Sequence, residues 1–173
     1  TTLYMDIEMT VTKRTGKNET VMFDKIVNRL KKLGNEANLR INYTTLAMKV
    51  IDQLYDGIKT SQIDELSAEQ CASLTTTHPD YGILASLLLC SNHHKNTNDS
   101  YIDVVTELYN NVDVHGKHTP LLNDVFYKNV VEHHDDIQNM LDYSKDKLFD
   151  FFGFKTLERA YLLRIGNSIK ERP

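Results

Sequence analysis

The 173-residue sequence has only two cysteines, and neither belongs to a metal or disulfide pattern. Cys71 and Cys90 stand apart inside apolar segments, with no CxxC and no Cys/His ligand spacing. A zinc ribbon is excluded, and a disulfide framework is not expected. No apolar run approaches the roughly 20 residues a membrane helix needs; the longest surrounds Ile83 to Cys90. No membrane span is expected. The opening residues Thr1-Thr2-Leu3-Tyr4-Met5-Asp6 have neither the basic nor the apolar region of a secretory signal, so a cytosolic, cytoplasmic chain with reduced thiols is expected. The absence of GxxxxGK[ST] and of GxGxxG removes the P-loop and the dinucleotide fingerprint. No internal repeat is present.

What remains is ordinary globular composition, 40% hydrophobic and 25% charged, with room for one domain or two small ones. A net charge of −4 argues against a general nucleic-acid binder, yet the charge is unevenly spread. Between Val11 and Lys32, seven basic residues (Lys13, Arg14, Lys17, Lys25, Arg29, Lys31, Lys32) face Glu19 and Asp24 alone, a local +5; −4 less +5 leaves −9 for the rest. That stretch reads either as a solvated helix face or as a small polyanion site.

The pattern predicts a hairpin, with strands over Met9–Arg14 and Glu19–Phe23 and a turn at Thr15-Gly16-Lys17-Asn18. Asp24 reads as the N-cap of a helix carrying Ile26, Leu30 and Leu33 and stopped by Gly34-Asn35. A second helix opens at Tyr43-Thr44-Thr45 and closes at Tyr55-Asp56-Gly57. Thr60 and Ser61 can cap a third, with Ile63, Leu66, Cys71 and Leu74 on one face. Pro79 starts a fourth, Asp80 to about Lys95, whose Ile83–Cys90 run implies burial on most sides. The expected fold is thus mainly α with a small β hairpin: a four-helix cluster capped by the hairpin. Polar Asn96-Thr97-Asn98-Asp99 is a junction, followed by a second helical section. Its stripes are Val104, Val105, Leu108 and Val112, then Leu121, Leu122, Val125, Phe126, Val130 and Val131, then an aromatic-rich helix from Leu148 ended by Gly166-Asn167.

Lys13-Arg14 beside a turn glycine, and a helix start at Asp24-Lys25-Ile26, outline a cradle for several phosphates. Backbone N–H groups and the positive end of the helix dipole favour an anion, and the cations bind its oxygens. At these residues a resemblance enters. Val11-Thr12-Lys13-Arg14-x-Gly16-x-x-Glu19-x-x-x-Phe23-Asp24-Lys25-Ile26, then Tyr55-Asp56-Gly57-Ile58-Lys59-Thr60, His78-Pro79-Asp80-Tyr81 and Ser91-Asn92-His93-His94-Lys95 resemble the ATP-cone, the amino-terminal allosteric module of class I ribonucleotide reductase large (alpha) subunits. Leu108-Tyr109-Asn110, Gly116-Lys117-His118, Phe152 to Leu163 and Glu171-Arg172-Pro173 resemble the helical region leading into that enzyme's barrel.

The resemblance implies three segments: an N-terminal tail over 1–8 without a role, an ATP-cone over 9–98, and a helical region over 99–173 that precedes the catalytic barrel. It implies allosteric binding of ATP or dATP, with Mg²⁺, in ribonucleoside-diphosphate reductase, the oxidoreductase that makes deoxyribonucleotides for DNA replication. Partners would be the small subunit and other large subunits, with no nucleic acid and no membrane. The family's catalytic cysteines lie beyond the segment resembled, so this chain is expected to bind nucleotide without reducing it and to hold no catalytic residue.

The implied nucleotide-binding residues are Val11, Lys13, Arg14, the segment Glu19, Thr20, Val21, Met22, Phe23, Asp24, Lys25 and Ile26, then Thr60, Asp64 and Lys95. Val11 and Ile26 would face adenine, Thr60 and Asp64 the base and ribose, and Lys95 the phosphates. Thr60 also reads as a plain N-cap, Asp64 as a first-turn carboxylate and Lys95 as a cation at a helix end. No metal site is expected: the adjacent pairs His93-His94 and His133-His134 diverge by about 100° on a helix, unlike HExxH, and His115 and His118 have no third ligand nearby. The alternative is a helical interaction module whose cone binds no nucleotide.

Overall fold

The computed structural model describes residues 8–173, so the expected tail lies, through Ile7, outside the described residues. The chain divides into two compact units within one helix, between Asn92 and His93.

In the first unit β1 (Thr10–Thr12) and β2 (Asn18–Thr20) form the expected hairpin, antiparallel with Val11 opposite Glu19. Both strands are shorter than the alternation suggested. Lys13 N–H donates to the Lys17 carbonyl at 2.8 Å and Gly16 N–H to the Lys13 carbonyl at 2.8 Å, so Lys13 already belongs to the turn. Gly16 takes φ +81°, a conformation in which a Cβ is strained. A third strand, β3 (Ile58–Lys59), lies parallel to β1 on its other edge and was not anticipated. Asp56 ties this edge down: its Oδ1 accepts from Thr10 N–H and from Thr10 Oγ1, each at 2.8 Å, and these bonds hold its carboxyl below the usual range.

Four helices follow: α1 (Phe23–Glu36), α2 (Tyr43–Ile51), α3 (Thr60–Ser73) and α4 (Pro79–Asn96). Their ends correct several expectations. Asp24 is not the cap of α1: Met22 occupies that position without a side-chain bond, and Asp24 stands in the first turn, where a carboxylate still suits the dipole. Likewise Lys59 caps α3, with its N–H donating to Gln62 Oε1 at 3.2 Å, and Thr60 and Ser61 are helical residues. α2 stops at Ile51, before the expected Tyr55-Asp56-Gly57, while its start is fixed by Asn42, whose Oδ1 accepts from Thr45 N–H at 3.0 Å. The core comprises Leu30 from α1, Leu46 and Val50 from α2, Ala68 and Cys71 from α3, and Leu84, Ala85 and Leu88 from α4. Burial pushes the Cys71 thiol from 9.0 up to about 12, so it is a packing group and not a nucleophile.

Gly34 does not stop α1 either. The helix runs through it, and the left-handed residue after the end is Asn38, φ +56°. Gly34 is there because Tyr43 crosses that point: an added Cβ would sit 2.5 Å from Tyr43 Cε1. Alanine gains about 1 kcal/mol of helix propensity over glycine, whereas displacing a packed ring costs about 1–3 kcal/mol. Gly34→Ala is therefore expected to lower the urea midpoint, and to raise it when Tyr43→Ala is also present. A midpoint raised by Gly34→Ala alone would contradict this.

In the second unit α5 (Tyr101–Tyr109) packs against α6 (Asp124–Glu132) and α7 (His134–Met140), followed by a 3₁₀ turn (Tyr143–Leu148) and α8 (Phe151–Ala160). Val104, Val105 and Leu108 are buried as expected, but of the second stripe only Val130 is; Val125, Phe126 and Val131 are exposed. α8 ends at Ala160, six residues before the expected stop. Gly166-Asn167 instead turns a hairpin between β4 (Arg164–Ile165) and β5 (Ser168–Ile169), Gly166 taking φ +58°. Of the four phenylalanines between 149 and 154, Phe154 is in the core, edge-on to His93 at 5.3 Å. His93 Nδ1 lies 3.1 Å from Glu158 Oε1, and His94 Nε2 lies 2.6 Å from Asp146 Oδ2, which gives both adjacent histidines carboxylate partners. Among the described residues no three His, Cys, Asp or Glu side chains could hold a metal ion, and no helix is long and apolar enough to cross a membrane.

Candidate nucleotide site

The site lies in the first unit, where the β1–β2 turn meets the start of α3. Lys13, Arg14 and Gly16 come from the turn, Thr12 from the end of β1, and Lys59, Thr60 and Ser61 from the β3–α3 junction. Together they line a cavity of about 230 Å³. The lining carries three cations and no carboxylate. Thr60 and Ser61 are the first two residues of α3, whose opening N–H groups have no acceptor within the helix, so the positive end of the dipole meets the same space. The cavity thus meets the start of α3, whereas the sequence reading places a cradle at the start of α1. The parallel β1–β3 pairing accounts for this: it sets Thr12 opposite Lys59 and so brings the turn to the α3 start.

Behind the cavity is a polar network of short contacts. Arg29, on α1, forks onto Asp64 of α3, with Nε 3.2 Å from Oδ1 and Nη2 3.2 Å from Oδ2, and the same Nη2 donates to Ser91 Oγ of α4 at 2.9 Å. Arg14 Nη2 lies 3.6 Å from Asp64 Oδ2 and donates to Asn92 Oδ1 at 2.5 Å, while Asn92 Nδ2 donates to the Ser61 carbonyl at 3.2 Å. Asp64 is 7% exposed, so its charge is compensated by two guanidinium groups in place of water. Arg14 is shared: one side holds the network and the other lines the cavity.

Beside Val11 on the hairpin, Glu19 Oε2 bridges Lys13 Nζ at 3.1 Å and Lys25 Nζ at 3.3 Å. Lys13 first, then Lys25, hold the Glu19 carboxyl below the usual range, although the group is exposed. Beyond it, Thr20 ends β2 and Val21 N–H donates to the Met9 carbonyl at 2.9 Å. Met22 and Phe23 are half exposed at the start of α1, and Asp24 sits in its first turn. Val11 and Ile26 are each 8% exposed, so their side chains belong to the core and little of either reaches solvent. Lys95 stands in the last turn of α4, within the second unit.

The structure therefore brings together Lys13, Arg14 and Thr60 around one cavity, with Asp64 reached through Arg14 and Lys25 reached through Glu19. Lys59, Ser61, Arg29, Ser91 and Asn92 were not singled out as site residues. Lys59 and Ser61 flank Thr60 in sequence, and a basic residue beside a helix start was the available signal. Arg29 is separated from Asp64 by 35 residues and Asn92 from Arg14 by 78, and no local pattern marks such pairs.

Residues 9–96 match the model of the ATP cone domain. The chain is 42% identical over 165 residues to the ribonucleoside-diphosphate reductase large subunit of Plasmodium falciparum (isolate Dd2), covering 95% of this chain and 20% of that protein. It is 43% identical over 167 residues to the large subunit of vaccinia virus (strain Copenhagen), covering 95% and 22%. Identity to large chain 2 of Saccharomyces cerevisiae is 40% over 168 residues, covering 95% and 19%. The chain spans about a fifth of the length of these relatives. With the match reaching from the hairpin to the end of α4, the chain belongs to the ATP-cone domain family.

Proposed function

We propose that this chain binds ATP or dATP as an allosteric effector of a ribonucleoside-diphosphate reductase large chain in the cytoplasm, in concert with the reductase small subunit and other large chains. The observation that carries the reading is the carboxylate-free cavity lined by Lys13, Arg14 and Lys59 at the start of α3. Three cations and a helix dipole suit a triphosphate, each charge-assisted bond contributing about 1.5–3 kcal/mol. Mg²⁺ would travel on the phosphate oxygens and water, because it seldom needs an all-protein cage. The base would take the half-exposed Met22 and Phe23, with the Glu19 to Lys25 segment folded around it.

Asp64 is the residue assigned to sugar recognition. ATP and dATP differ by one hydroxyl, so discrimination rests on a polar contact near the ribose and on the relative energies of two assembly states. Through Arg14, Asp64 is linked to the phosphate end of the same ligand. Calorimetric titration of the chain and of Asp64→Asn with ATP, dATP and GTP in Mg²⁺ tests the reading. Saturable adenine-nucleotide binding, weak GTP binding and an ATP-to-dATP affinity ratio altered in Asp64→Asn are expected. A folded chain that binds none of the three is instead a helical interaction module, and an unchanged ratio removes Asp64 from sugar recognition.

A further inference from the structure

Asn92, on the part of α4 that belongs to the first unit, is 3% exposed and is not among the residues lining the cavity, yet each end of its side chain is bonded to a residue that is. Its Oδ1 accepts from Arg14 Nη2 at 2.5 Å, across 78 residues, and its Nδ2 donates to the Ser61 carbonyl at 3.2 Å, across 31. Arg14 reaches the cavity from the β1–β2 turn and Ser61 from the start of α3. One buried side chain, supplied by a third element, therefore joins the two segments that form the cavity.

The two bonds dictate the kind of side chain. A guanidinium only donates and a backbone carbonyl only accepts, so the group between them must offer an acceptor on one side and a donor on the other. An amide offers both from one carbon, and here it fits only one way round. A carboxylate would set a second acceptor against the Ser61 carbonyl, and an aliphatic side chain would make neither bond. The Arg14 side chain is 31% exposed, and a long side chain left to rotate must be ordered when an anion binds. Its guanidinium carries five N–H donors, of which the bond to Asn92 uses one, so the group can be held from behind and still present N–H donors to the cavity.

We propose that Asn92 is a positioning residue of the phosphate cradle. It does not touch the nucleotide; it holds the Arg14 guanidinium and the start of α3 in fixed relation, so that Arg14 is ordered by folding and not by the ligand. The inference rests on the nucleotide reading above and adds to it a residue that acts only through Arg14 and Ser61.

The test is a double-mutant cycle on affinity, read by calorimetric titration of the whole chain with ATP in Mg²⁺. Asn92→Ala is expected to weaken binding about three- to tenfold in the wild-type background and equally in Lys13→Ala, but by less than about twofold in Arg14→Ala, where no guanidinium remains to be held. A residue that only supports the fold would show no such dependence on Arg14. Asn92→Leu and Arg14→Met, which keep the volume and remove the bonds, replace the alanine variants if circular dichroism shows either to be unfolded. A wild-type chain that binds no ATP ends the nucleotide reading and this inference with it. A wild-type chain that binds, with affinity unchanged by the Asn92 variant or weakened as much without Arg14 as with it, overturns the role of Asn92 alone; in the second case Asn92 would meet the ligand directly.

Discussion

Replacing Asp64 by alanine is expected to cost about 3 kcal/mol of folding free energy and to lower the melting midpoint by roughly 12–24 °C for a unit of this size. The reason is what the substitution leaves behind. Arg29 and Arg14 both converge on Asp64, with side chains 23% and 31% exposed, so without the carboxylate the half-buried Arg29 and the more exposed Arg14 lose the charge that they share. Breaking a buried pair from one side typically costs about 3–5 kcal/mol, and this partial exposure places the value at the lower end.

The pairing can be separated from mere packing by a double-mutant cycle. With Arg29→Ala already present, Asp64→Ala should cost about half as much or less, since only Arg14 remains to be stranded. Asp64→Leu with Arg29→Met, which removes both charges and keeps the volume, should recover most of the loss. Urea unfolding followed by circular dichroism reads all of these. Additive single-variant costs would mean that the fork between α1 and α3 carries no coupling.

The second large effect is on ligand affinity. Lys13→Ala is expected to weaken ATP binding about tenfold or more while changing stability little. Lys13 lines the cavity, yet its one ion pair among the described residues is the surface bridge to Glu19, and such bridges contribute about 0–1 kcal/mol. Arg14 is a poorer probe of the same site, because it also donates to Asn92 and approaches Asp64; its alanine variant should lose both stability and affinity. The contrast itself is the measurement: calorimetric affinity and urea midpoint for the two variants side by side. Lys13→Ala with unchanged affinity would place the phosphates elsewhere than in this cavity.

Much of the cone was legible from local signals. Gly16 between two β-branched runs indicated the turn, and the 3.6-residue spacing of Ile26 and Leu30, or of Ile63 and Cys71, indicated the helices and the faces they bury. Pro79 correctly opened α4. The errors lay at helix ends and short strands. Asp24 and Thr60 have the composition of caps, but cap position depends on where the chain turns, and Met22 and Lys59 turn there instead. Gly166-Asn167 carries one turn signal that suits a helix stop and a hairpin equally, and the pairing of Arg164 with Ile169 made it a hairpin.

The sequence alone determined the mainly helical class, the hairpin, the clustering of cations near Lys13 and Arg14, and the four helices behind them, because each depends on residues within a turn or two of one another. Tertiary structure decided which helix start faces the cations, that Gly34 makes room for Tyr43, and that Arg29 and Asp64 neutralise each other across 35 residues. The two-residue strand β3 shows why. Ile58-Lys59 is too short for any periodicity to register, yet its pairing with Val11 and Thr12 across 47 residues sets Lys59 and Thr60 beside the turn and so creates the cavity. Such placement arises from long-range hydrogen bonding and burial, whose partners only the folded chain brings together.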